Sequence, residues 1–236
     1  MGKNMLIMGP GSPALCDKLI ERFDFEFSEV KTKVFPDKEY YVQLEDSVDG
    51  KDCYLVHTTY PNKRLIQLFF IQDALLENGA NSVNVIVPYY GYARQDQKFE
   101  EGEAISARAI AERIEIQSDS FYSVDLHSEK IVDFFDIPAK NLTAMGLLAH
   151  HAERFEPDLF ISPDEGGVNR VKKAAEEVDM DWDYLEKTRI DSETVEIKPK
   201  NMKVEAKRVV ILDDIISTGG TMTEAAKQLR EERAEK

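Results

Sequence analysis

The chain has 236 residues, enough for one large domain or two of ordinary size. A hydrophobic fraction of 42% supports a packed core and excludes wholesale disorder, while a formal charge of −15 argues against nucleic acid or an anionic membrane surface as a partner. Cys16 and Cys53 are the two cysteines, too few for a disulfide framework or a metal cluster, and they fit a reducing, cytoplasmic compartment. No apolar run is long enough to cross a bilayer, and the start lacks the basic-then-apolar pattern of a leader.

Short apolar runs alternate with helical patterns. Met5–Met8, Tyr54–His57, Val83–Val87, Phe121–Val124, Leu159–Ile161 and Val209–Leu212 read as strands, so poor in polar residues that both faces are expected to be covered. Leu65–Glu77 has apolar residues at helical spacing and stops at Asn78-Gly79, a left-handed cap. Ala104–Ile114 and Val168–Val178 read the same way. This alternation predicts an α/β fold with a mainly parallel sheet. The unit recurs with a break near Asn141, which predicts domains at residues 1–141 and 142–236. The segment Thr221–Lys236 reads as an amphipathic helix that turns wholly charged. A further strand normally follows such a helix, so the second domain is expected to be incomplete.

The most informative stretch is VVILDDIISTGGTM, Val209 to Met222. In an open α/β sheet ligands sit at the carboxyl ends of strands, and Asp213-Asp214 fall at that edge. Ser217, Thr218, Gly219, Gly220 and Thr221 then form a tight loop ahead of a helix. Glycine lets backbone N–H groups approach an anion, and the hydroxyls add donors. Two carboxylates would repel that anion, but they suit neighbouring sugar hydroxyls. An anion beside vicinal hydroxyls describes a ribose 5-phosphate; the plain alternative is a strand-to-helix turn with an Asp cap.

Other segments admit two readings. VFPDKEYYVQL, Val34–Leu44, is a Pro-containing turn between extended segments, in which Phe35 is a core aromatic or a ligand contact. Arg94, in PYYGYARQDQKF, can neutralise phosphate or belong to an ordinary surface loop. SVDLHSEKI places Asp125 and His127 at a strand end, as a divalent-ion pair, a nucleotide contact through His127, or simply packed residues. In LFISPDEGGVNRV a strand ends at Pro163-Asp164 before Gly166-Gly167, and Asp164 suits Mg²⁺, which favours carboxylate oxygens and keeps its waters. DYLEKTRIDSETVEI, Asp183–Ile197, is polar and charged; Lys187 and Arg189, two apart on an extended segment, share a face and suit a flap that closes over phosphates. Its plain alternative is a solvated hairpin.

Taken in order, FPDKE, ARQD, DLH, SPDEGG, KTR and DDIISTGGT resemble the successive motifs of the ribose-phosphate pyrophosphokinases (PRPP synthetases), most of all the archaeal kind, from Leu6 to about Arg230. Phosphoribosyltransferases share the last motif and lack the earlier ones. Lys38 departs from the family pattern, which often has Gly there, and Glu165 stands where a small residue is common. The resemblance implies two Rossmann-like, type I phosphoribosyltransferase-like domains with mainly parallel sheets. It also implies transfer of the diphosphoryl group of ATP to the 1-hydroxyl of ribose 5-phosphate, with Mg²⁺ as cofactor. By motif, Phe35, Asp37, Lys38 and Glu39 would contact ATP from a neighbouring subunit of a homo-oligomer, and Arg94 and Gln95 would hold ATP. His127 and Asp164 would serve the metal. Lys187 and Arg189 would be catalytic, with Arg189 also at the ribose phosphate. Asp213, Asp214 and Ser217 to Thr221 would bind ribose 5-phosphate. Two other readings stay open: a phosphoribosyltransferase, and a non-catalytic or shortened regulatory relative.

Overall fold

The structure, a computed structural model, describes residues 4–189 and 195–236, with the side chains of 187–198 outside the description. The chain divides into two compact units, Met1–Leu142 and Thr143–Lys236, each taken by itself.

The first unit is built on β1 (Asn4–Met8), β2 (Glu26–Val34), β3 (Tyr40–Leu44), β4 (Asp52–Val56), β5 (Ser82–Val87), β6 (Ser120–Val124) and β7 (Ala139–Leu142). Their order is β3-β2-β1-β4-β5-β6-β7, and β3 is antiparallel to its neighbour while the other pairs are parallel. The helices are α1 (Pro13–Arg22), α2 (Lys63–Glu77) and α3 (Ser106–Glu115). Side chains alternate across the sheet: Met5 and Ile7 join the core under α2 and α3, while Leu6 packs with Cys16 of α1. That alternation covers both faces, which is why these strands read as unbroken apolar runs. α2 ends as expected, with Gly79 at φ 84 after the Asn78 cap.

The second unit has α4 (Met145–Ala152), β8 (Leu159–Ser162), α5 (Val168–Glu177), β9 (Trp182–Arg189), β10 (Val195–Pro199), β11 (Val209–Ile211) and α6 (Gly220–Glu231). The sheet order is β10-β9-β8-β11, with β8 parallel to both neighbours and β10 antiparallel to β9. Phe160 packs with Val171, Ala174 and Leu212 on one face; Leu159, Ile161, Ala225 and Leu229 pack on the other. β8 is buried along its whole length, but β11 is only half-buried, unlike the fully covered strand its apolar sequence predicts.

The helix expected to run to Lys236 stops at Glu231. Arg233 adopts φ 66, and Ala234 N–H bonds back to Leu229 C=O at 2.9 Å. The chain then lies beside the start of β11: Glu235 N–H donates to Lys207 C=O, and Val209 N–H donates to Lys236 C=O, each at 2.9 Å. Among the described residues no helix is long and apolar enough to cross a membrane.

Candidate active site

In the second unit the chain leaves β8 toward β9 on one side and reaches β11 on the other. The reversal lies between β8 and β11, and the crevice outside their carboxyl ends is where such sheets bind ligands. Pairing of Ile161 with Ile211, extended by the Leu212 N–H bond to Ile161 C=O at 2.9 Å, fixes which residues face that crevice. Pro163-Asp164 follow β8, and Asp213-Asp214 follow β11. Two motifs nearly fifty residues apart thus meet at one edge.

After β8 the turn is tight. Ser162 Oγ donates to Asp164 C=O at 2.7 Å, and Gly167 N–H reaches the same carbonyl at 3.4 Å. Gly167 has no room for a side chain, because a Cβ there would overlap the Ser162 hydroxyl. Asp164 is half-buried at the head of this turn.

After β11, Asp214 N–H donates to Asp213 Oδ1 at 2.9 Å. Arg170, from the first turn of α5, reaches across to Asp214 Oδ1 at 2.9 Å and to Asp213 Oδ1 at 3.7 Å. Sequence reasoning missed Arg170, since the contact depends on β8 and β11 being neighbours. Burial, then the side-chain hydrogen bond with Asp214, pushes the Asp213 carboxyl up from 3.8 to about 6, against smaller lowerings by the Asp214 N–H bond and by Arg170. The loop then exposes Ser217, Thr218 and Gly220. Gly219 caps α6 at φ 80, a left-handed conformation open to glycine, so the first N–H groups of the helix point into the loop. Ile216 is exposed beside them. A cavity of about 440 Å³ lined by Lys200, Val204, Glu232 and Arg233 lies by the opposite end of α6 and takes no part.

Lys187 and Arg189 lie on β9, but their side chains fall outside the described residues. The same strand holds Asp183, fully buried, accepting Asn201 N–H and Met202 N–H at 2.8 Å each and Asn201 Nδ2 at 3.1 Å. The end of a segment that reads as solvated is thus pinned to the unit.

In the first unit the expected residues form two groups. Arg94 and Gln95 follow β5, and His127 follows the adjacent β6. Arg94 and His127 are exposed. The Gln95 amide donates to Glu103 Oε2 at 3.1 Å; that carboxylate also accepts Phe99 N–H and Glu100 N–H, which hold its pKa below the usual range. Gln95 therefore braces the loop that carries Arg94. Phe35, Asp37, Lys38 and Glu39 sit at the tip of the β2–β3 hairpin, where Phe35 N–H bonds Glu39 C=O and Lys38 N–H bonds Phe35 C=O, both at 2.9 Å. Phe35 is half-exposed, with Lys33 Nζ 5.0 Å above its ring and Tyr41 edge-on. Three strand spacings, about 14 Å, separate β2 from β5, so the hairpin tip and the Arg94 loop form separate groups within the unit.

Among the described residues no cluster of three or more His, Cys, Asp and Glu forms a metal cage. Mg²⁺ needs none, since it takes one or two carboxylates and fills its shell with water and substrate phosphates. Asp164 at the crevice fits that demand.

Two family models match the chain: the N-terminal domain of ribose phosphate pyrophosphokinase over residues 4–117 and the phosphoribosyl transferase domain over residues 133–236. A ribose-phosphate pyrophosphokinase of Methanopyrus kandleri is 40% identical over 92% of this chain and 76% of its own. Ribose-phosphate pyrophosphokinase 2 of Archaeoglobus fulgidus is 43% identical over 95% of this chain and 79% of its own. The crystal structure of phosphoribosylpyrophosphate synthetase from Mycobacterium smegmatis superposes with a TM-score of 0.87 at 31% identity, covering 99% of this chain and 78% of that one. Both units thus have counterparts along nearly the whole chain, and the chain belongs to the ribose-phosphate pyrophosphokinase family.

Proposed function

We propose that the chain transfers the diphosphoryl group of ATP to the 1-hydroxyl of ribose 5-phosphate, giving PRPP and AMP. The observation that carries this reading is the buried acid pair beside an open helix N-terminus, at the switch point of a sheet in this family. The 1-hydroxyl oxygen attacks the β-phosphorus of ATP, the bond from that phosphorus to the α,β-bridging oxygen breaks, AMP leaves with that oxygen, and the hydroxyl proton goes to solvent.

Asp213 and Asp214 hold the ribose hydroxyls, and Ser217, Thr218, Gly219, Gly220 and Thr221 take the 5-phosphate on backbone N–H and hydroxyl donors. Arg94, braced by Gln95, holds the phosphates of ATP. Phe35, Asp37, Lys38 and Glu39 reach the nucleotide of a neighbouring subunit; their distance from Arg94 in the sheet supports a shared site in a homo-oligomer. Lys187 and Arg189 close on the transferring group, Arg189 also meeting the ribose phosphate, and spread its charge. In the second unit Asp164 would hold Mg²⁺, and in the first unit His127 would serve the metal–ATP side; bound Mg²⁺ would neutralise the ATP phosphates. Positioning and charge neutralisation do the rest.

Incubating the chain with ATP, Mg²⁺ and ribose 5-phosphate should release AMP and PRPP in equal amounts, and no AMP without the sugar. In Lys187→Ala, turnover should fall by several orders of magnitude while ATP binding stays within about tenfold. Full turnover in that variant, or AMP release indifferent to ribose 5-phosphate, would overturn the reading.

A further inference from the structure

We infer that Arg170 is a positioning residue for the sugar end of this site: its guanidinium neutralises and orients Asp214, and through it Asp213, so that both carboxylates are set for the ribose hydroxyls. The inference rests on the proposed reaction and gives the two adjacent acids a common support.

The geometry separates them. Arg170 Nη2 lies 2.9 Å from Asp214 Oδ1 and 3.7 Å from Asp213 Oδ1, so Asp214 is the closer partner. The Asp214 side chain is 3% exposed and that of Asp213 is 15% exposed, so the cation backs the more enclosed acid and Asp213 is the more open of the two. Asp214 N–H in turn fixes Asp213 Oδ1 at 2.9 Å. A chain of contacts therefore runs from α5 through Arg170 and Asp214 to Asp213. The charged groups set against Asp213 are Asp214 beside it and Arg170 from α5. Without the cation two buried carboxylates face each other, and the second negative charge is disfavoured.

The test is calorimetric titration of ribose 5-phosphate, and separately of ATP, on the full chain and on Arg170→Lys, Arg170→Gln and Arg170→Gln/Asp214→Asn. Titrations run across the pH range in which carboxylates and histidine ionise. In Arg170→Gln, ribose 5-phosphate binding should weaken at least tenfold and ATP binding stay within about twofold, as expected for a misplaced charged acceptor. The acid limb of sugar binding should move to higher pH in that variant, because Asp213 then ionises later. Arg170→Lys should restore part of the affinity, and the double variant should return the acid limb toward its original position. Sugar affinity and an acid limb unchanged in Arg170→Gln would overturn the inference. So would equal weakening of both ligands in the single and double variants with a lowered melting temperature, which marks a packing role alone. Failure of the unaltered chain to bind ribose 5-phosphate would overturn the proposed function itself.

Discussion

Gly167 lies against Ser162 so closely that any side chain on it would occupy the place of the serine hydroxyl. That hydroxyl donates to Asp164 C=O at 2.7 Å and closes the turn that carries Asp164. The glycine is therefore required by a close approach, and the approach sets the position of a candidate metal ligand.

Gly167→Ala should destabilise the second unit by about 1–3 kcal/mol, the usual cost of forcing a methyl group into a packed site. Ser162→Ala removes the colliding oxygen, so the two changes together should cost less than their sum. Trp182, the sole tryptophan, lies in this unit on β9, so its fluorescence during urea unfolding reports the loss. Strict additivity of the two variants would show that the contact is not the constraint.

Lys38 stands at φ 75 at the tip of the β2–β3 hairpin, a conformation that disfavours a side chain. Such a backbone conformation favours glycine. Lys38→Gly should be more stable than Lys38→Ala by about 1 kcal/mol, because both lose the lysine contacts and only glycine relieves the backbone. Thermal unfolding of the two variants checks it, and equal melting temperatures would refute it.

The parts of this fold legible in the sequence were those buried on both faces. β1, β4, β5, β6 and β8 announced themselves as apolar runs because helices cover the sheet from either side; β11 read the same way from its sequence but is only half-buried. β2 and β3 sit at the edge with many exposed positions, and only the Pro-containing turn between them was legible. The acid pair and the glycine loop were visible because their chemistry is local: donors and acceptors lie within nine residues of one another. Arg170 was not, since it reaches Asp214 only because β8 and β11 are hydrogen-bonded neighbours. Asp183 was hidden for the opposite reason: its segment is polar, and nothing local shows that Asn201 and Met202 return to satisfy it. The turn back of residues 233–236 onto β11 rests on backbone hydrogen bonds that carry no side-chain signature.

His57 follows β4 and is fully buried, with Nε2 3.0 Å from Arg64 C=O. A carbonyl only accepts, so Nε2 carries the proton and Nδ1, which faces Gly9, has no partner. Burial, the largest cause, lowers the pKa of His57 from 6.5 to about 4, with the neighbouring Arg64 charge adding to it. The unfolded chain then takes up a proton that the native state refuses, so stability should fall as pH drops from about 6.5 toward 4. His57→Gln should flatten that dependence by about 2–3 kcal/mol near pH 4. Urea unfolding followed by far-ultraviolet circular dichroism reads it, and an unchanged slope would show that another group carries the acid sensitivity.

Asp213 behaves in the opposite sense. Its carboxyl is pushed up from 3.8 to about 6, first by burial and then by its side-chain hydrogen bond with Asp214. Between those values the native state holds a proton the unfolded chain has released, so stability declines as pH rises from about 4 to about 6 and stays level above. The ionised carboxylate is thus a cost to the fold, which the proposed role as an acceptor for sugar hydroxyls would explain. Asp213→Asn keeps the shape and removes the charge. At neutral pH it should stabilise the second unit by about 1–2 kcal/mol after discounting for partial solvation. It should also weaken ribose 5-phosphate by about 1.5–3 kcal/mol while leaving ATP nearly untouched. Trp182 fluorescence during urea unfolding, at pH values on both sides of the transition, gives the stability term, and titration of each substrate gives the binding terms. A variant no more stable than the parent at neutral pH, or one that loses both substrates equally, would show that Asp213 is a structural acid and not the receptor of the sugar.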